Sequence, residues 1–300
     1  MVYTEIKEKN GKKYYYRVLN IRMGSKFKKK RVYLGADLEK KELKNKEENA
    51  DKELSILSSL LAREEIETLN KIKEEFQKEP KTSQNNRYES FVSLFTYDST
   101  AIEGNTLSLE ETSFLLFEKI VPKSRSLREI NETLNHKKAF DRMLSYKDDL
   151  TKEFICQLHK IVVENTLRKE LNDQMGCYRN VQVFIRGRNW IPSKPEEVSK
   201  EMKSLLSWYS KNKKKLHPFI IASYFHVAFE TIHPFVDGNG RVGRLLMNFI
   251  LHKNKYPMIN IPSKIKFDYY ESLHKATIDG NLKPFIELMI KILRESKVKF

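Results

Sequence analysis

The sequence predicts a mainly α-helical protein with a short basic β-ribbon at its N-terminus and one small β-hairpin in its second half. Three observations lead there. Apolar residues recur at helical spacing through most of residues 87–296. Strand-like alternation is confined to residues 12–35 and 180–192. The 40% hydrophobic content, with 17 Phe and 14 Tyr in 300 residues, suffices for a sizeable core.

The ribbon comes first. From Lys12 to Gly35, KKYYYRVLNIRMGSKFKKKRVYLG sets aromatic and β-branched residues on both sides of a GSK turn signal, which reads as two strands over residues 1–35. Nine basic residues and no acid lie between Lys12 and Arg31, so nucleic acid is a candidate partner for residues 12–31. Residues 1–50 hold 15 Lys and Arg against 7 Asp and Glu, an excess of 8 that is half of the chain's formal +16. Residues 36–85 read as a charged helical linker, with Leu54, Ile56, Leu57, Leu60 and Leu61 at helical spacing. PKTSQNN, Pro80 to Asn86, breaks that pattern, and a main domain is expected over residues 86–300.

Within that domain helices are predicted at Arg87–Ile102, Ser108–Ile120, Leu127–Leu144 and Thr151–Thr166. Ser108 with Glu111 makes a capping box. NVQVFIRGRNWIP, Asn180 to Pro192, alternates and reads as the hairpin. Helices resume at Pro195–Tyr209, Pro218–Ile232, Gly240–Lys253, Asp268–Thr277 and Leu282–Ser296. No apolar run approaches the roughly 18–20 residues that span a bilayer. The charged start MVYTEIKEKN does not read as a signal peptide. Cys156 and Cys177 show no metal spacing and read as free thiols. A soluble cytoplasmic protein with no membrane partner is expected.

The chemistry concentrates in His233 to Arg244, HPFVDGNGRVGR, which follows an apolar helix and opens another. Pro234 ends the first helix. Gly238, Gly240 and Gly243 allow close backbone approach, and the N–H groups of the new helix point at one spot, a geometry that attracts phosphate. Arg241 and Arg244 share a face of the first turn and suit phosphate oxygens. Asp237 can hold Mg²⁺ through one carboxylate. His233 suits a general base. The same glycines spell GxGxxG, but the preceding helix and the distance to the next acid, Asp268, argue against a dinucleotide fold. His226, seven residues before His233, reads as helix packing, while His136, His159, His217, His252 and His274 read as surface or interface residues.

The whole string matches the signature of the Fic family, His-x-Phe-x-Asp/Glu-Gly-Asn-Gly-Arg-x-x-Arg. The resemblance runs from about Asn86 to the end, through GCYRNVQVFIRGRNWIPSKPEEVSKEM, which looks like the family's flap, and FDYYESLHKATIDGNLKPFIELM, which resembles its C-terminal helices. It implies a Fic-type helical domain that transfers AMP from Mg·ATP to a Ser, Thr or Tyr hydroxyl of a target protein, or to itself. By the same resemblance His233 is the base, Asp237 holds the Mg²⁺, and Gly238, Asn239 and Gly240 form an anion hole. Arg241 neutralises the leaving pyrophosphate, Arg244 grips the γ-phosphate, and Phe235 anchors the loop. Tyr269 and Tyr270 match a pair near the nucleotide, against core packing as the alternative, and Thr277 departs from the family's usual Asn. The hairpin, with Val181, Val183, Ile185, Gly187 and Trp190, is expected to dock a strand of the target.

STAIEGN, Ser99 to Asn105, ends the helix predicted over residues 87–103. It resembles the family's inhibitory motif, with Ser99, Glu103 and Gly104 in place, and implies a Glu103–Arg244 pair that blocks productive ATP binding. Many relatives dimerise, which favours a homodimer. Other possibilities are transfer of UMP or phosphocholine, removal of AMP with Glu103 positioning water, or a nucleic-acid-binding regulator acting through the ribbon.

Overall fold

The computed structural model describes the chain except for Met1 and residues 24–25, 55–56, 58–59, 81–83, 186–189 and 297–299. Its N-terminal sheet has three antiparallel strands in the order β1 (Val2–Lys9), β2 (Lys12–Met23), β3 (Lys26–Ala36). The two-strand expectation therefore missed β1. Its signal was Asn10-Gly11, which joins β1 to β2 with φ of 53° and 72°, the double positive-φ turn that suits a tight hairpin. The GSK turn signal falls largely on residues 24–25, outside the described residues.

Helix α1 (Lys40–Leu54) covers one face of the sheet. Arg17 of β2 donates to both oxygens of Asp51, at 2.7 and 2.8 Å, so this basic residue is spent inside the module. The sequence allows one or two helices over residues 36–79, and two are found. Helix α1 ends at Leu54, and α2 (Arg63–Lys78) begins after Leu60 and Leu61, which are buried. Residues 55–56 and 58–59 lie outside the described residues. Leu69 and Ile72 of α2 enter the main core, and Lys283 donates to Glu65 at 2.8 Å, so packing continues across residues 80–86.

The main body contains α3 (Gln84–Ile102), α4 (Leu109–Ser113), α5 (Leu127–Ser145), α6 (Lys152–Val162) and α7 (Pro195–Asn212). It continues with α8 (Pro218–Ile232), α9 (Asn239–Lys253), α10 (Lys266–Ile278) and α11 (Lys283–Glu295). The predicted capping box forms: the Glu111 N–H donates to Ser108 Oγ at 3.0 Å, and the Ser108 N–H returns to Glu111 Oε2 at 2.8 Å. Beyond α4 the chain widens into a π-helical turn, Phe114–Glu118.

Helix α9 is the axis. It is buried nearly all round, with Val242, Leu245, Leu246, Phe249 and Ile250 packed against α3, α5, α6 and α8 and with Asn239, Arg241, Arg244 and Asn248 buried as well. Its N-terminus is thereby fixed where α3, α5 and α8 converge. The predicted hairpin at residues 180–192 shows no strand pairing among the described residues, and Gly187 lies outside them. Side chains join its arms instead: Arg179 Nη1 donates to Val181 O at 2.9 Å, Arg179 Nη2 donates to Ser193 O, and Gln182 Nε2 reaches Pro192 O at 3.4 Å. No helix among the described residues is long and apolar enough to cross a membrane.

Candidate active site

His233 caps α8 in the left-handed conformation, φ 52° and ψ 63°, an uncommon state for a residue with a Cβ. Two bonds hold it there. Its N–H donates to Phe229 O at 2.9 Å, and its carbonyl accepts from Arg179 Nε at 2.8 Å. The loop then closes on itself. Asn239, 1% exposed, accepts from the Phe235 N–H at 2.9 Å and donates to the Phe235 carbonyl at 2.8 Å. Gly238, at φ 76°, passes so near α6 that a Cβ would come within 2.9 Å of Val163 Cγ1.

Underneath, Phe235 lies flat on His159, with ring centroids 3.8 Å apart and planes 5° from parallel. The Gly176 N–H donates to His159 Nδ1 at 3.0 Å, so the proton resides on Nε2, which donates to Asp237 O at 3.1 Å. Burial holds this imidazole down to about 4 and keeps it neutral. His159 is therefore a buried anchor of the loop, not the ordinary surface or interface residue expected.

Charge surrounds the loop. Asp237 Oδ1 accepts from the Gly238 N–H at 2.6 Å and from Arg241 Nη2 at 3.2 Å, while Oδ2 accepts from Arg128 Nη2 at 3.2 Å. Glu132 on α5 accepts from Arg128 Nε at 3.0 Å and from Asn105 Nδ2 at 3.2 Å, and lies 3.7 Å from Arg241 Nη1. Arg241 is 2% exposed, and its buried Nε and Nη1 have no hydrogen-bond partner. Buried donors of that kind ask for an acceptor.

Arg244 is engaged from α3 and from the turn that follows it. Its Nε donates to Ser99 Oγ at 2.9 Å, and its Nη2 donates to Ser99 O at 2.7 Å and to Glu103 Oε1 at 2.8 Å. The Glu103 side chain seats against the first turn of α9. A Cβ on Gly240 would stand 2.1 Å from Glu103 Oε1 and 3.0 Å from Arg244 Nη1. Gly104, at φ 102°, ends the chain's helical course directly after this contact. His233 completes the site with its ring held down to about 4, first by burial, so it is neutral and can accept a proton at pH 7.

Residues 149–251 match the Fic/DOC family. The chain carries a Fic domain. It is 34% identical over 200 residues to protein adenylyltransferase Fic of Nematostella vectensis, covering 65% of this chain and 45% of that protein. It is also 34% identical over 204 residues to protein adenylyltransferase fic-1 of Caenorhabditis elegans, covering 66% of this chain and 39% of that one. The chain thus spans less than half the length of these curated relatives. Among solved structures, Fic-1 of C. elegans superposes with a TM-score of 0.69 at 27% identity, over 86% of this chain and 76% of that one. A Fic-domain signalling protein of Bacteroides thetaiotaomicron gives 0.68 at 29%, over 76% and 93%.

The Fic loop brings together His233, Asp237, Gly238, Asn239, Gly240, Arg241 and Arg244, with Ser99, Glu103 and Gly104 of α3 and its end alongside. The remaining expected residues stand around the loop. Gly243 faces α8, where a Cβ would stand 2.4 Å from Glu230 Oε1 and 3.2 Å from the His226 ring. Tyr269 is 1% exposed, its hydroxyl lies 2.8 Å from His226 Nε2, and it bears on Arg244 from behind the loop. Tyr270 reaches the end of α3, donating to Ile102 O at 3.3 Å. Thr277 pairs with Thr231 at 3.0 Å. His136 is buried, with Nδ1 against Thr96 Oγ1 at 3.0 Å, and His217 caps α8 by accepting from the Phe219 N–H at 3.2 Å. Arg179, His159, Arg128, Glu132 and Asn105 were missed, since their value lies in partners distant along the chain.

Proposed function

We propose that this Fic domain is a regulated protein adenylyltransferase, moving AMP from Mg·ATP to a Ser, Thr or Tyr hydroxyl of a target protein or of itself. What carries the reading is one juxtaposition: a neutral imidazole beside the glycine-bounded N-terminus of α9, with two buried arginines in the first turn behind it. Three curated relatives bearing the adenylyltransferase name, at about 34% identity, support it.

In this scheme His233 takes the proton of the target hydroxyl, whose oxygen attacks the α-phosphorus as the bond to pyrophosphate breaks. The free N–H groups at the start of α9 stabilise charge developing on phosphate oxygen. The unpartnered Nε and Nη1 of Arg241 suit the departing pyrophosphate. The side-chain amide of Asn239 is spent on Phe235, so it shapes the loop and leaves phosphate to the backbone. Asp237 is 37% exposed at the mouth of the loop and fits an oxygen-bound cation. Bound Mg²⁺ supplies neutralisation of phosphate charge there.

The Glu103–Arg244 pair is the proposed restraint. The guanidinium is 1% exposed, and its bonds to Glu103 and Ser99 compete with any γ-phosphate. Basal transfer is therefore expected to be low. Glu103→Gly should raise self-labelling from α-phosphate-tagged ATP by tenfold or more, on the order of one lost charged bond. Equal labelling of variant and parent would sink the restraint, and absence of labelling with tagged ATP, UTP and CDP-choline alike would sink the transferase.

The N-terminal sheet supports a second role, contact with nucleic acid. It sets Tyr16 and Tyr33 5.3 Å apart and Tyr14 and Tyr33 6.5 Å apart, with Tyr33 54% exposed. Aromatic rings beside a basic strand suit stacked bases and phosphates.

A further inference from the structure

Glu230 is a buried carboxyl that the transfer scheme leaves without a task. It lies on α8 one turn before His233, and its side chain is 12% exposed. Its Oε2 stands 4.0 Å from His233 Nδ1. Glu230 Oε1 and His233 Nδ1 are both buried without a hydrogen-bond partner. Gly243 makes room for the carboxyl, since a Cβ there would come within 2.4 Å of Glu230 Oε1. Interiors rarely leave such atoms unsatisfied. Oε2 is the oxygen that faces the Nδ1 edge of His233, while Oε1 turns toward Gly243 and the His226 ring, and the Glu230 backbone carbonyl also favours a proton on the His233 ring.

We propose that Glu230 is the positioning residue of the base: its carboxyl faces the Nδ1 edge of His233, keeps Nε2 toward the cleft, and strengthens the base when Glu103 releases Arg244. The inference rests on the base role given to His233 above.

The charges around Glu230 explain the coupling. From α8 it faces His226 and His233, from α9 Arg244, from the turn after α3 Glu103 and from α10 Tyr269. Arg179 and Asp237 also act on the His233 ring. Burial pushes the Glu230 carboxyl up to about 8, Arg244 pulls it down, and Glu103 pushes it up again. With the Glu103–Arg244 pair closed, Glu230 is mostly protonated at pH 7. Once Glu103 leaves, the Arg244 cation is uncompensated and favours the Glu230 carboxylate. Glu103 also raises the proton affinity of His233, so its departure removes one favourable charge from the ring. The ionised Glu230, one turn away, replaces it. A single contact at the end of α3 then governs both the phosphate grip and the strength of the base.

The test is an imidazole ¹⁵N titration of His233 in the Glu103→Gly protein and in Glu103→Gly/Glu230→Gln, without nucleotide. The expected result is a His233 midpoint lower by about one pH unit or more in the double variant, with loss of the Nδ1-protonated tautomer. Equal midpoints and tautomers overturn the proposal. In the same pair the acid limb of kcat/KM should move by the same amount, and a lowered plateau with an unmoved limb also overturns it. Should Glu230→Gln fail to fold, a ¹³C titration of the Glu230 carboxyl in the parent and in Glu103→Gly decides. A fall of about one unit or more supports the coupling, and an unchanged value ends it. Both titrations need no nucleotide, so their outcome is separate from whether AMP is transferred.

Discussion

Arg179 does the work of a small bridge. It is 2% exposed, and its guanidinium donates to the carbonyls of His233, Val181, Ser193 and Ile232 while its own N–H donates to Pro234 O at 2.9 Å. Arg179→Met keeps much of the apolar stem but strands several carbonyls. Each buried unsatisfied group costs about 1–3 kcal/mol, so the variant should lose roughly 3 kcal/mol in urea denaturation. Amides of residues 180–185 should also exchange hydrogen faster, and unchanged protection there would refute the bridge. His233, Asp237, Arg241 and Arg244 were legible because twelve consecutive residues carry them. Arg179 and His159 were not, because nothing local separates a buried arginine or histidine from an exposed one.

At the scale of elements, sequence pattern succeeded where it was periodic and capped. The span Pro218–Ile232 is the same in expectation and structure, because Pro at its start and His233-Pro234 at its end punctuate an apolar run. It failed where burial and periodicity part company. Leu60 and Leu61 are buried yet lie outside any helix themselves, and β1 was overlooked because its VYTEIKEK alternates with charged residues on a weakly apolar strand. Among the described residues of 180–192 no strand pairing is seen, and side chains of Arg179 and Gln182 join the arms. The sheet has its own test. If it contacts nucleic acid, binding should weaken steeply between about 50 and 200 mM salt. Replacing Lys28, Lys29 and Lys30 together by Glu should then abolish it in a gel-shift titration. Salt-independent binding, or none by the parent protein, would remove this role.

Taken whole, the molecule buries uncharged imidazoles. His136, His159 and His226 are each 0% exposed. Burial holds His159 down to about 4 and His226 to about 3, and pushes His136 well below its usual value. Their folded values lie below the ordinary value of about 6.5. The stability they contribute is therefore complete above about pH 6.5 and falls as pH drops from there toward the folded values, because the unfolded chain binds the protons first. Each costs roughly 1.4 kcal/mol per pH unit over that window. Urea midpoints should drop by a large fraction between pH 7 and pH 5, and a flat profile would mean that the three rings are hydrated. The same core runs from α2 to α11, so the loss should be cooperative.

Gly240 lets the backbone come close to an anion, and the same missing methyl is the socket in which the Glu103 oxygen sits. Substrate and stopper thus contend for a single vacancy. Filling it to evict one would shut out the other, so a lineage built this way can be tuned through the plug but hardly through the hole.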